Sequence, residues 1–203
     1  MIGVVNYGLG NIQAILNIYS SLDIPACGIS SPEEFTKVTH LILPGVGAFD
    51  WAMQMLNSSG LRSELDELVK SKKRPVLGIC VGMQMMAKSS EEGKIDGLDW
   101  VRGEVKHFKH HTNKKLDVPH MGWNNINIQN DIHLFNGFSA NAYFYFLHSY
   151  FFSITNKNQI LSSTNYFGEF TSSFQNNNIY GVQFHPEKSH KWGVLLLKNF
   201  ASV

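Results

Sequence analysis

The sequence predicts an α/β fold: a mostly parallel sheet flanked by helices, followed by a β-rich C-terminal half. Three observations predict it. Short apolar runs alternate with helix-forming segments up to about residue 100, the pattern of parallel strands joined by helices. Within that region, Gly78-Ile79-Cys80-Val81-Gly82 turns an apolar strand straight into a helix. From Val101 onward, short strand patterns separated by Asn, Gly and Asp dominate. At 203 residues with 43% hydrophobic content, the chain can bury one sizeable core, so a single domain over 1–203 is expected.

Taken in order, the apolar run at the N-terminus predicts a strand over 2–6, and the segment 11–22 a helix. Thr39-His40-Leu41-Ile42-Leu43 reads as a buried strand centred on 41–43, then 61–72 as a helix and 76–79 as a strand that begins just after Pro75. Val81 to Lys88 changes to helix formers. The second half predicts strands over 104–108, 124–128, 143–152, 159–165, 169–175 and 179–184, with Asn176-Asn177-Asn178 as a hairpin turn and a closing helix over 192–200.

The turn at Cys80 carries chemistry. A strand reversing directly into a helix strains its apical residue and pushes that side chain into a cleft, and the flanking glycines remove Cβ atoms that would clash. Cys80 then sits at a helix N-terminus, where unpaired N–H groups and the helix dipole favour a thiolate. The amide of Val81 would point at the oxyanion of anything the sulfur attacked. The alternative is a small buried hydrophobe. Cys27, in Ile24-Pro25-Ala26-Cys27-Gly28, has no such turn and reads as core or edge packing.

A cysteine nucleophile needs a base, and His185 is the best placed of nine histidines. It ends the alternating run Tyr180-Gly181-Val182-Gln183-Phe184, and Pro186 forces it into an extended conformation. Glu187, two residues on, projects to the same side and can fix the imidazole tautomer. A third element, Pro44-Gly45-Val46-Gly47, follows a buried strand; its glycines allow the backbone to turn an N–H toward a ligand, or form a plain tight turn.

Composition bounds the partners. A net charge of +1 without a strongly basic block argues against nucleic acid. No stretch approaches the roughly 20 apolar residues needed to span a bilayer. The chain opens directly on its first strand, without a charged leader, and its two cysteines lie in unrelated contexts, so a cytosolic location is expected. The basic cluster from His107 to Lys115 reads as an exposed hairpin rather than a metal site, since no carboxylate or cysteine joins it locally. No cofactor and no metal are expected.

Together these residues resemble the class I (triad-type) glutamine amidotransferases, and more narrowly the glutaminase subunits of imidazole glycerol phosphate synthase. The likeness runs end to end: Asn6-Tyr7-Gly8-Leu9-Gly10-Asn11, Pro44-Gly45-Val46-Gly47, Gly78-Ile79-Cys80-Val81-Gly82-Met83-Gln84, Pro119-His120-Met121-Gly122-Trp123-Asn124, Leu147-His148-Ser149-Tyr150 and His185-Pro186-Glu187-Lys188-Ser189. It implies a flavodoxin-like fold and a Cys80-His185-Glu187 triad that hydrolyses L-glutamine through a glutamyl thioester. It also implies oxyanion donors around Gly45, Val46, Gly47 and Val81, with Gln84 and the segment His148, Ser149 and Tyr150 holding the substrate.

The family's partner is a (β/α)8-barrel synthase that receives the ammonia through a channel. By resemblance, Gly8, Gly10, Asn11, Trp123, Asn124 and Lys188 lie near the docking face, and the lone subunit has little activity until the partner orders Gly45-Val46-Gly47. The alternative for Trp123 is core packing, and for Lys188 a solvated charge. Two departures bear on the acceptor: Gly97-Leu98-Asp99-Trp100-Val101-Arg102-Gly103 and His190 resemble a branch that supplies ammonia to a sugar amidotransferase in surface-glycan synthesis. A third possibility is a catalytically silent scaffold module.

Overall fold

Five strands form the parallel part of the main sheet because their sequences are apolar on both faces. The computed structural model describes every residue except 111–116, 130–131 and 140. The first half runs β1 (Ile2–Val5), α1 (Ile12–Ser21), β2 (Ala26–Ile29), β3 (His40–Gly45), α2 (Phe49–Ser58), α3 (Arg62–Asp66) with a π-helical turn over Glu67–Ser71, β4 (Val76–Cys80) and α4 (Val81–Gln84). All residues of β1 and β4 are buried, as strands covered by helices on both faces must be. The helices bury one stripe each: Phe49, Ala52, Met53 and Leu56 in α2 follow the i, i+3, i+4, i+7 spacing.

The second half contains β5 (Ser89–Ser90), β6 (Gly103–His107), β7 (His120–Asn125), β8 (Asn127–Ile128), β9 (Tyr143–His148), β10 (Tyr150–Ile154), β11 (Ile160–Asn165), β12 (Glu169–Asn176), β13 (Ile179–Val182) and α5 (His190–Phe200). The main sheet has the order β2-β1-β3-β4-β13-β12-β11-β8; its first five strands are parallel and the rest antiparallel. A three-stranded sheet β10-β6-β5 and a two-stranded ribbon β7-β9 complete the structure. α5 packs on α1, joined by the Tyr19 hydroxyl, which donates to the Leu197 carbonyl at 3.0 Å.

Several elements differ from the sequence expectation, each for a tertiary reason. The strand expected over 143–152 is two, broken at Ser149: β9 pairs with β7 while β10 pairs with β6. The strand expected over 124–128 is likewise split, because Ile126 turns into the core between the ribbon and the edge of the main sheet. The helix after Cys80 stops at Gln84, since the carbonyls of Met85, Met86 and Ala87 accept from Leu98, Trp100 and Asp99 instead of continuing a helical ladder. β2 and α2 are additions to the expected elements, and Cys27 lies on β2, an edge strand of the main sheet.

The basic cluster is not a solvated hairpin throughout. Phe108 is fully buried and His110 Nδ1 lies 2.8 Å from Glu91 Oε2, a carboxylate distant in sequence. Residues 111–115 of that cluster lie outside the described residues.

Candidate active site

The carboxyl ends of three adjacent parallel strands bring the expected nucleophile, its base and the Gly45 turn together. Gly45 at the end of β3 is the register partner of Cys80 at the end of β4, and Val182 of β13 pairs with Ile79. His185 follows three residues beyond Val182. In open α/β sheets such strand ends are where ligands bind.

Cys80 is the apex of a strained turn, with φ 54° and ψ −112°. The turn closes because β3 and α4 approach where no side chain could fit. A Cβ on Gly82 would lie 1.9 Å from the Leu43 carbonyl oxygen, and one on Gly45 would lie 2.4 Å from the Gly82 nitrogen. A backbone outlier held by such packing is the kind of strain found at functional sites.

His185 and Glu187 form a buried pair, with Nδ1 to Oε1 at 2.8 Å and both side chains no more than 4% exposed. The carboxylate accepts from Nδ1–H, which leaves Nε2 for the Cys80 sulfur. Burial alone would lower the His185 pKa, but the interactions with Cys80 and Glu187 outweigh it and raise it to about 10. The imidazolium is therefore favoured beside the sulfur. The backbone around it is fixed as well: His185 N–H donates to the Tyr145 carbonyl at 2.9 Å, and Ser189 Oγ donates to the His185 carbonyl at 2.6 Å.

A cavity of about 290 Å³ opens in front of Cys80, at the lower end of the range for small-molecule sites. Val46, Gly47 and Val81 line it, as do Gln84, His148, Ser149 and Tyr150. Val46 is 38% exposed and Gly47 has φ 84°, so this stretch stands clear of the core. Gln84 Nε2 donates to the Tyr150 carbonyl at 2.9 Å and to Gln183 Oε1 at 3.0 Å. His148 Nδ1 meets the same Tyr150 carbonyl at 2.8 Å.

Three groups at the site were not among the expected residues. Among the described residues, Glu92 is the sole carboxylate lining the cavity; it accepts from the Phe49 N–H at 2.9 Å, and burial raises its pKa. Gln183 Nε2 lies 3.7 Å from Cys80 Sγ. The Tyr7 hydroxyl donates to the Pro44 carbonyl at 2.7 Å, one residue before Gly45, and burial together with Cys80 keeps it a neutral phenol. Tyr7 sits beside Gly8 in the first glycine-containing motif, and Gln183 lies two residues before His185. Nothing local separates Glu92 from a solvated charge.

The six residues expected at a docking face divide. Gly8 and Asn11 are exposed and Gly10 is half-buried, all three near the carboxyl end of β1, while Trp123 is 45% exposed on the outer face of the β7-β9 ribbon. Trp123 stacks on His190, ring centroids 5.1 Å apart and planes 8° apart. Lys188 is exposed, lines the cavity and holds its Nζ 5.6 Å from the Tyr145 ring centroid. Asn124 points the other way: its amide binds His120 and the Asn165 carbonyl on the inner face of the ribbon. The departure at 97–103 packs behind α4 through Gly97, Leu98 and Trp100, and none of its residues lines this cavity.

A family model for glutamine amidotransferase class-I matches residues 6–202. The chain belongs to the class-I glutamine amidotransferases. Among similar members of this family is the imidazole glycerol phosphate synthase subunit HisH of Bdellovibrio bacteriovorus, 52% identical and matched over 100% of both chains. The protein of the same name from Leptospira interrogans is 46% identical, again over 100% of both. At the level of fold alone, a crystal structure of a glutamine amidotransferase superposes with a TM-score of 0.72 at 15% identity, covering 98% of each chain. A glutamine amidotransferase from Thermotoga maritima gives 0.64 at 15% identity, over 99% of this chain and 82% of that one. Among the described residues, no group of three or more His, Cys, Asp or Glu could hold a metal ion, and no helix is long and apolar enough to cross a membrane.

Proposed function

We propose that this chain is the glutaminase subunit of an imidazole glycerol phosphate synthase, with residues 1–203 acting as one cytosolic domain. The observation that carries this reading is the buried His185–Glu187 pair at 2.8 Å, set against a strained Cys80 that opens onto an amino-acid-sized cavity. The relatives of that name, alike over their whole length, support the pathway.

The Cys80 thiolate attacks the side-chain amide carbonyl of glutamine, and the resulting oxyanion is held by the amides of Val81 and Val46. His185 donates its proton to the departing nitrogen as the C–N bond breaks, leaving a glutamyl thioester and ammonia. His185, now neutral, takes a proton from water; the hydroxide attacks the thioester, and glutamate leaves as the thiolate is restored. Glu187 keeps the imidazole in one tautomer throughout. Glu92, as the carboxylate of the cavity, pairs with the substrate's α-ammonium, a pairing that offsets the cost of its own burial.

Most ammonia released into water at neutral pH is protonated and no longer nucleophilic, so the product must pass directly to an acceptor. The outer face of the ribbon offers the surface: Met121, Trp123, Tyr143 and Leu147 are all exposed there. A (β/α)8-barrel synthase subunit docked on it would receive the ammonia. The experiment is Cys80→Ala in the assembled complex. Glutamine-driven synthesis should fall at least roughly 10³-fold, while synthesis from added ammonium salt stays within about twofold. Retained glutamate release in that variant refutes the assignment.

A further inference from the structure

The inner face of the β7-β9 ribbon carries a chain of hydrogen bonds that the chemistry above does not use. Its directions follow from one fixed point. The Tyr150 carbonyl can only accept, so His148 carries its proton on Nδ1, 2.8 Å away, and as a neutral ring presents a lone pair at Nε2. His120 Nδ1 lies 3.1 Å from that lone pair and must donate to it. His120 Nε2 is then the acceptor for the Asn124 amide at 3.2 Å, whose other hydrogen goes to the Asn165 carbonyl at 3.1 Å.

The chain continues on the far side of the same carbonyl. Gln84 Nε2 donates to it at 2.9 Å and to Gln183 Oε1 at 3.0 Å, and Gln183 Nε2 reaches the Cys80 sulfur at 3.7 Å. The Tyr150 carbonyl is thus the shared acceptor on which two runs of donors meet, one from Asn124 through His120 and His148, the other from Gln84, which also donates toward Gln183 and so to the nucleophile. Burial lowers the pKa of both histidines, that of His120 to about 4 and that of His148 to about 3, so both rings stay neutral and neither sets a second imidazolium against His185.

Packing alone does not call for a histidine at position 120. Its ring is stacked between Phe146 at 4.7 Å and Tyr166 at 4.1 Å, with Phe108 and Phe170 edge-on, a niche that suits a phenyl ring without the desolvation cost of imidazole. We propose that His120 is a positioning residue for the glutamine site: with His148 it fixes the Tyr150 carbonyl, and through that carbonyl it holds Gln84 and Gln183 against Cys80. The proposal rests on the glutaminase reading.

The test compares His120→Phe with His120→Gln in the complex with the barrel subunit. His120→Phe keeps the stacking and breaks the chain; glutamine kcat/KM should fall about ten- to hundredfold while ammonium-driven synthesis holds within about twofold. His120→Gln, which supplies one donor and one acceptor, should recover part of the loss although it packs worse. A purely structural role predicts the reverse order. Wild-type kcat and KM in His120→Phe, or lower activity in His120→Gln than in His120→Phe, overturn the proposal. Nitrogen NMR of the unmodified chain tests the same point without a variant: both rings should carry their proton on Nδ1, and an Nε2-protonated tautomer at either histidine overturns it. A wild-type complex without glutaminase activity would remove the functional reading and leave the tautomer result to decide the chain.

Discussion

The three buried histidines around the site titrate in opposite directions, and their partners explain why. His185 has a thiol and a carboxylate beside it, and its pKa rises from 6.5 to about 10 because these partners outweigh burial. The folded chain therefore keeps a proton that the unfolded chain has lost; this stability is complete below about pH 6.5 and is lost as pH rises through about 10. His120 and His148 face each other, with no carboxylate among the described residues hydrogen-bonded to either, and burial lowers them to about 4 and about 3. Below about pH 6.5 the unfolded chain takes up protons that these two do not, so stability falls as pH drops toward 4. The urea midpoint should therefore peak near neutrality, and His120→Phe should flatten its acid side while leaving the alkaline side alone. An unchanged acid slope in that variant would contradict the assignment. The Cys80 and His185-Pro186-Glu187 features were legible in the sequence because each is set by neighbours within two residues. Glu92, Tyr7 and Gln183 were not, since their positions depend on strands far apart in the chain.

At the scale of elements, the site depends on how closely β3 meets α4. A methyl on Gly82 would stand 1.9 Å from the Leu43 oxygen, which is backbone and cannot swing aside. Gly82→Ala should destabilise the chain by about 2–4 kcal/mol, read as a lowered denaturant midpoint, and should reduce glutaminase activity more than the stability loss alone explains. A stable and fully active Gly82→Ala would show that the elbow tolerates relaxation. The ribbon shows the limit of pattern reading. From Tyr143 through Leu147 the chain is continuously aromatic or apolar, and the run from Tyr150 to Phe152 resumes the pattern, so one strand is the natural reading. What breaks it is pairing: the Ser149 carbonyl accepts from Phe108 N–H at 3.1 Å, and the two halves enter different sheets. Such a run tells that a strand forms; it does not tell which sheet the strand joins. The short α4 has the same origin, because distant backbone donors take the carbonyls that a longer helix would use.

At the scale of the molecule, the parallel half of the main sheet places Cys80, His185 and the Gly45 turn at the carboxyl ends of its central strands, and the antiparallel half brings the ribbon over them. One face of that ribbon is apolar and exposed, the other buries His120 and carries His148 to the cavity, and β9 runs directly into Ser149 and Tyr150. This arrangement fits the proposed subunit, whose chemistry would run in a narrow cavity and whose ammonia would pass to a partner docked on the ribbon. Most of the parallel α/β half was legible because strands such as β1 and β4 are uniformly apolar, whereas the edge strand β2 and the helix α2 were not. The layout of the β-rich half was not, because it depends on long-range pairing. The central claim is covalent, and it has a direct reading: acid-quench the complex during glutamine turnover and map bound glutamyl groups by peptide mass spectrometry. The account predicts a glutamyl adduct on the peptide that contains Cys80. Glutamate release with no adduct there, or an adduct on Cys27, would contradict it.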